Sequence, residues 1–168
     1  AAIDAAAAFK AVVIASAAGE KDMPESSADR VANVATLMPK LKACGFEDAD
    51  IHIDPLVFPI SVDGRNGLKF LDAITTIRQT YGPRIHLVAG LSNVSFGMPN
   101  RKLINQVFAH LAVAAGADGG IVNPLEINAK TLKDMDPSSE PYRLARALLL
   151  GEDDFGMNFI TACRENKI

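Results

Sequence analysis

An α/β fold built on a parallel sheet is what this sequence predicts, and three observations predict it. Four short apolar runs, at residues 11–16, 51–54, 85–89 and 120–123, are rich in Val and Ile. Segments of helical periodicity stand between them, long enough to carry the chain back over a sheet. Each run ends in a loop of Gly, Asn, Ser, Asp or Pro, the place where parallel folds hold their ligands. Strands that are apolar at nearly every position mark a parallel sheet covered by helices. Right-handed crossovers then leave two architectures, an open doubly wound sheet or part of a barrel.

In chain order, residues 1–10 are Ala-rich and read as the tail of a helix. Ala11-Val-Val-Ile-Ala-Ser16 is the first buried strand. A polar loop over 19–25 leads to Ser26 and Ser27, both candidates to cap a helix. Val31, Val34, Met38 and Leu41 recur at helical spacing. Pro39 within that pattern predicts a kink or an early stop, and Gly45 an end. Strand 51–54 is followed by a long loop over 57–67 carrying Pro59, Gly64 and Gly67. A helix from Leu68 then places Leu71, Ile74 and Ile77 on one face and ends at Gly82-Pro83. Strand 85–89 comes next, and then an amphipathic helix with Leu103, Ile104, Val107, Phe108 and Leu111, stopped by Gly116. Strand 120–123 precedes a polar stretch to Glu140. Two last helices are predicted at about 141–150 and 154–165, with Asp153 or Asp154 capping the second.

Composition bounds the function. The 168 residues allow one domain, and 49% hydrophobic with 22% charged residues is ordinary for a globular protein. Net charge is -3, with basic and acidic residues interspersed, so nothing marks a nucleic-acid partner. No apolar run reaches the roughly 20 residues of a membrane span. The Ala-rich start lacks the basic front and long apolar core of a signal peptide. The chain begins without Met, as a processed chain or a piece of a longer one would. Cys44 and Cys163 have no Cys or His at metal-ligand spacing. They are expected to be buried, inert thiols in a reducing cytoplasm, with no metal bound by this chain. No Gly-x-Gly-x-x-Gly or Walker loop appears, which removes support for a dinucleotide or triphosphate site.

The richest stretch is Gly90-Leu-Ser-Asn-Val-Ser-Phe-Gly-Met-Pro-Asn100. Ser92, Asn93 and Ser95 offer short donors and acceptors, Gly90 and Gly97 allow close backbone approach, and Asn100 is a candidate N-cap. An ordinary strand-to-helix turn uses the same residues. The wording of the motif resembles that of the pterin-binding methyltransferases, the methyltetrahydrofolate:corrinoid protein methyltransferases and the folate domain of cobalamin-dependent methionine synthase. Ile51-His-Ile-Asp-Pro55 resembles the Asp-Pro strand end that precedes this loop by one β/α unit in that family. Gly120-Ile-Val-Asn-Pro-Leu125 resembles the family's last barrel strand.

The resemblance implies that the strands are the fifth to eighth of a TIM-type (β/α)8 barrel of the dihydropteroate-synthase kind. The whole chain, residues 1–168, would then be the C-terminal part of one pterin-binding barrel domain. It implies a transfer of the methyl group of methyltetrahydrofolate to the Co(I) of a corrinoid (cobalamin) carried by a partner protein. Asn93 matches the residue that faces the reactive nitrogen, and Asp54 the one that grips the pterin ring. Gly90 and Ser92 belong to the same signature. Asn123 lies at a strand end that could line the same mouth or form a turn before Pro124. Arg101 could approach the folate tail, a partner or only solvent. His52 shares a strand face with Asp54 and reads as a packed barrel histidine.

Three readings compete. One is this methyltransferase, acting with a corrinoid protein and with the N-terminal half of the barrel or a second copy, as a homodimer. Another is a dihydropteroate-synthase-like condensation, whose Lys- and Arg-bearing final strands are missing here. The third is an incomplete, non-catalytic pterin-binding half-barrel. An open flavodoxin-like sheet is the architecture expected if the chain is complete.

Overall fold

The computed structural model describes residues 2–20 and 22–168. Helix α1 (Ala2–Ala8) leads into β1 (Val13–Ser16). Helix α2 (Ser27–Ala43) follows, then β2 (Ile51–Asp54) and α3 (Asn66–Tyr81). Next come β3 (His86–Leu87) and α4 (Arg101–Ala115). Three shorter helices, α5 (Ala129–Lys133), α6 (Glu140–Leu149) and α7 (Met157–Arg164), complete the chain.

The sheet is parallel, in the order β1-β2-β3. Ser16 pairs with Asp54, and His52 with His86. The α/β class and the parallel pairing agree with the sequence. The fourth predicted strand is reduced to a bridge between Gly90 and Ile121. It nonetheless continues the ladder, since Ile121 N–H donates to the Ala89 carbonyl at 2.9 Å. Gly119 and Gly120 before it and Pro124 after it leave few residues that can pair regularly.

Among the described residues, helices cover one face of the sheet. Ile51 and Ile53 point to that face and are fully buried beneath α2, α3 and α4, with Phe70 and Phe108 in contact at 5.3 Å between ring centres. The other face carries Ile14, His52, Asp54 and His86 in alternation with these. Ile14 is 62% exposed and Ile121 67% exposed. Among the described residues this second face is partly open to solvent. His52 and His86 stack at 4.4 Å on the open face, and His86 Nδ1 lies 3.0 Å from an Asp118 carboxylate oxygen.

Local signals mostly hold. Ser26 caps α2 by a reciprocal pair: its Oγ accepts from Asp29 N–H at 3.1 Å, and Asp29 Oδ2 accepts from Ser26 N–H at 2.9 Å. Pro39 does not stop α2, which continues to Ala43. Pro39 and Ala35 are both exposed, so the carbonyl that loses its bond to a proline faces water. Asn100 holds the N-cap position of α4 in a left-handed conformation, φ 45°, and its side chain makes no cap bond. Helix α3 begins two residues before Leu68, and α5 was not foreseen in the polar stretch. Asp153 caps α7 from outside, accepting from the Asn158 and Phe159 amides. Cys44 and Cys163 are free and half-buried rather than fully buried, because each sits near a helix end at the periphery of the core.

Candidate functional site

The carboxyl ends of β1, β2 and β3 and residue Ile121 lie at one edge of the sheet, and the loops that leave them gather there. The loop after β2 carries Asp54 at its root. Its carboxylate is half-buried, and Oδ1 accepts from the Leu56 amide at 2.9 Å. That turn bends the chain sharply, with Leu56 at φ 66°. Burial pushes the Asp54 carboxyl above its ordinary pKa, and the Leu56 amide opposes the shift.

Arg30 fixes this turn from the neighbouring helix. It is fully buried on α2 and donates from Nε to the Pro55 carbonyl at 2.8 Å, with longer contacts to the Leu56 carbonyl. Its NH1 donates to the Ser26 carbonyl at 2.8 Å, tying the turn to the helix start. The guanidinium also lies over the Phe58 ring, 5.1 Å from its centre. Sequence reading missed Arg30, although one signal was present: it stands four residues before Val34, on the apolar stripe of its helix, where a charge is out of place.

The loop after β3 folds into a short 3-10 turn, Leu91–Ser95. Ser95 is fully buried; its Oγ donates to the Ser92 carbonyl at 3.2 Å and accepts from Arg101 Nε at 3.0 Å. Arg101 also donates to the Ser92 carbonyl at 3.0 Å, so it braces the loop from the start of α4. The long loop after β2 braces it from the other side. Ile60 N–H donates to the Val94 carbonyl at 2.9 Å and Ser61 Oγ to the Phe96 carbonyl at 2.6 Å. Gly97 stands at φ 81°, and a Cβ there would come within 3.1 Å of Ser61 Oγ, so conformation and space both call for glycine.

These loops bring Asp54, Gly90 and Asn93 to one cavity of about 380 Å³. Met23, Phe58 and Phe96 line its apolar parts, which suits a flat ring with a polar edge. Asn93 is exposed at the mouth. Its backbone holds the 3-10 turn, N–H to the Gly90 carbonyl at 3.3 Å and carbonyl to the Phe96 amide at 3.1 Å. A Cβ on Gly90 would lie 3.5 Å from Asn93 Nδ2, an ordinary contact, which puts that amide directly beside the Gly90 backbone. Met23, from the loop after β1, was not singled out in the sequence.

Ser92, Arg101 and Asn123 lie elsewhere. They line a neighbouring cavity of about 300 Å³. Asn123 Oδ1 accepts from the Leu125 amide at 3.1 Å, the turn before which Pro124 had placed it. No group of three or more His, Cys, Asp or Glu side chains among the described residues is placed to hold a metal ion. No helix among them is long and apolar enough to cross a membrane.

A family model described as "Pterin binding enzyme" matches residues 1–123. The methylcorrinoid:tetrahydrofolate methyltransferase of Eubacterium limosum is 39% identical over 118 residues, which cover 70% of this chain and 40% of that protein. Methionine synthases of Mycobacterium tuberculosis and Mycobacterium leprae are 34% and 35% identical over 89 residues, 49% of this chain and 7% of each of theirs. The chain thus spans well under two thirds of the relatives it matches.

Proposed function

The chain belongs to the pterin-binding enzyme family, and from that premise we propose that it carries one side of the active site of a methyltransferase, moving the methyl group of methyltetrahydrofolate to the Co(I) of a corrinoid held by a partner protein. The observation that carries this reading is the meeting of Asp54 and Asn93, from two strand ends, in one cavity with an apolar lining. The name of the Eubacterium limosum relative states the transfer in the opposite sense; one transition state serves both directions.

The residues divide the work. An ionised Asp54 keeps Oδ2 free while Oδ1 holds the Leu56 amide, and it accepts from the N–H groups on the edge of a pterin. The apolar side chains of Met23, Phe58 and Phe96 take the ring faces. Asn93 donates a hydrogen bond from Nδ2 to the methylated nitrogen as its bond to carbon breaks; the electron pair stays on nitrogen, which takes a proton from solvent to become the N–H of tetrahydrofolate. A neutral amide aimed at developing charge helps most in the transition state and needs no change of protonation. The corrinoid supplies, when bound, the nucleophile that takes the methyl group. Phe96, 66% exposed beside Asn93, offers a partner an apolar contact at the mouth. Two half-buried free cysteines support a reducing, cytoplasmic setting. An assay of methyltetrahydrofolate consumption with a reduced corrinoid protein tests the activity. Turnover supports the reading, and tight pterin binding without turnover replaces it with a binding function.

Asp54→Asn is expected to act in opposite directions on binding and on stability. Pterin affinity falls by about 1–3 kcal/mol, because an amide accepts at one atom only and sets its own N–H against the ligand's second donor. Stability at neutral pH rises. The folded-state pKa of Asp54 is raised, so its contribution is full at acid pH and is lost as pH rises through that value. The asparagine does not suffer that loss and still caps the turn. For the same reason pterin affinity of the parent should fall as pH drops through the raised pKa of Asp54. Calorimetric titration with methyltetrahydrofolate at several pH values, with urea unfolding, checks both; equal affinity in mutant and parent would leave Asp54 as a turn residue only.

We read the strands as the fifth to eighth of a (β/α)8 barrel. The open face of the sheet, with Ile14 62% and Val12 57% exposed, supports this reading, since that face is the interior of a closed barrel. Burying it gains about 25 cal/mol per Å². Residues 1–168 in isolation are therefore expected to associate, with a second copy or with the N-terminal barrel half, rather than to bind pterin as a monomer. Sedimentation with and without methyltetrahydrofolate decides this, and a monomer that binds it tightly would overturn the half-barrel reading.

A further inference from the structure

The second cavity, of about 300 Å³, adjoins the first through a single loop, for Asn93 lines one and its neighbour Ser92 the other. Asn105 lines this second cavity from α4; it is 7% exposed, and its Oδ1 has no hydrogen-bond partner. A buried amide left unpaired is costly, and a native fold keeps one for a reason. Lys102 and Glu126 line the same space, and among the described residues neither side chain has an ion-pair partner. Glu126 is engaged through its backbone only, its carbonyl accepting from Gln106 Nε2 at 2.8 Å. Arg101, held in place by Ser95 and Ser92, adds a second positive charge.

This combination defines a ligand chemistry. The N–H of another amide satisfies Oδ1. The terminal torsion of Asn is broad enough to present either atom. Two cations beside it take a carboxylate. A molecule with an amide next to a carboxylate is an N-acyl amino acid. We propose that this cavity holds the acyl-glutamate end of the folate whose ring lies in the first cavity, with Asn105 pairing its amide and Lys102 its carboxylate. Glu126 opposes a carboxylate there and weakens the grip. The proposal rests on the pterin reading of the first cavity.

The test compares methyltetrahydrofolate with methyltetrahydropteroate, which lacks the glutamate, by calorimetric titration of the complete protein. The parent should prefer the folate by roughly tenfold or more, the weight of one charged hydrogen bond. Lys102→Ala and Asn105→Ala should erode that preference and leave affinity for the pteroate unchanged, whereas Glu126→Gln should enlarge it. Lys102 is exposed and Glu126 half-exposed, so these two carry the test if the Asn105 variant does not fold. Equal affinity of the parent for both ligands, or variants that weaken both in parallel, would overturn the proposal. Free aminobenzoylglutamate binding as tightly as the folate would make the cavity an independent site and overturn it too. Failure of the parent to bind either pterin would overturn the pterin reading itself, and the proposal with it.

Discussion

Asn93→Ala in the complete protein is expected to slow methyl transfer by on the order of 10²–10³ while leaving folate affinity nearly unchanged. The loop does not depend on the side chain. Its backbone amide and carbonyl close the 3-10 turn, and alanine keeps both bonds. The side chain makes no hydrogen bond within the described residues and stands exposed at the mouth of the cavity. What alanine removes is one donor already in place, and removing it costs no folding energy. A tertiary amine is a poor leaving group until something donates to it, so the loss falls on the step in which its bond to carbon breaks. Single-turnover kinetics beside equilibrium titration separates the cases. A fall in rate at constant affinity fits a group that acts in the transition state. A weaker affinity at unchanged rate would make Asn93 a binding residue, and no change in either would remove it from the mechanism.

Arg30→Met should cost about 2–5 kcal/mol of stability, through the loss of several buried hydrogen bonds at once. Methionine fills much of the volume but donates nothing, and the carbonyls of Ser26, Pro55 and Leu56 lose their buried partner. No carboxylate pairs with Arg30 among the described residues, so these carbonyls are what hold its charge. Burial draws its pKa below the ordinary arginine value, with Asp29 opposing, yet arginine stays charged at any physiological pH. Because Arg30 positions the turn that starts at Asp54, pterin binding should weaken with stability. Arg30→Lys should recover only part of both, since one ammonium cannot span three carbonyls arranged for a planar fork. Urea unfolding and calorimetry measure the two effects. A stability within about 0.5 kcal/mol of the parent would show that the turn holds without the clamp.

Much of the fold is local and could be read from the chain. The parallel order of strands followed from short apolar runs separated by helices. A cap for α2 at Ser26 or Ser27 followed from the serines before an apolar helical pattern, and the structure selects Ser26 through its reciprocal pair with Asp29. Asp54 and Asn93 stood out because the motifs around them resemble those of the family; composition alone left both open as ordinary turn residues. Errors arose where a residue's effect depends on what lies beside it in space. Pro39 would break a helix whose carbonyls had no water to turn to, but on the exposed side of α2 it does not. The last strand reads as an apolar run, yet its glycines and the proline after it leave one regular bridge.

The sequence by itself determined the class of the fold and the order of most of its elements, and it pointed to Asp54 and Asn93, which both line the first cavity. Each of these depends on periodicity, turn chemistry or a motif contained within a dozen residues. Only the tertiary structure decided which signature residues share a cavity. Ser92 and Asn93 are adjacent in the chain and diverge into two spaces, because a 3-10 turn points successive side chains about a third of a turn apart. Only the tertiary structure showed Arg30 holding the Asp54 turn from another helix, and Asn105 buried without a partner. Hydrogen bonding and burial at such positions join segments far apart in sequence, and one chain's local pattern carries no record of its distant neighbours.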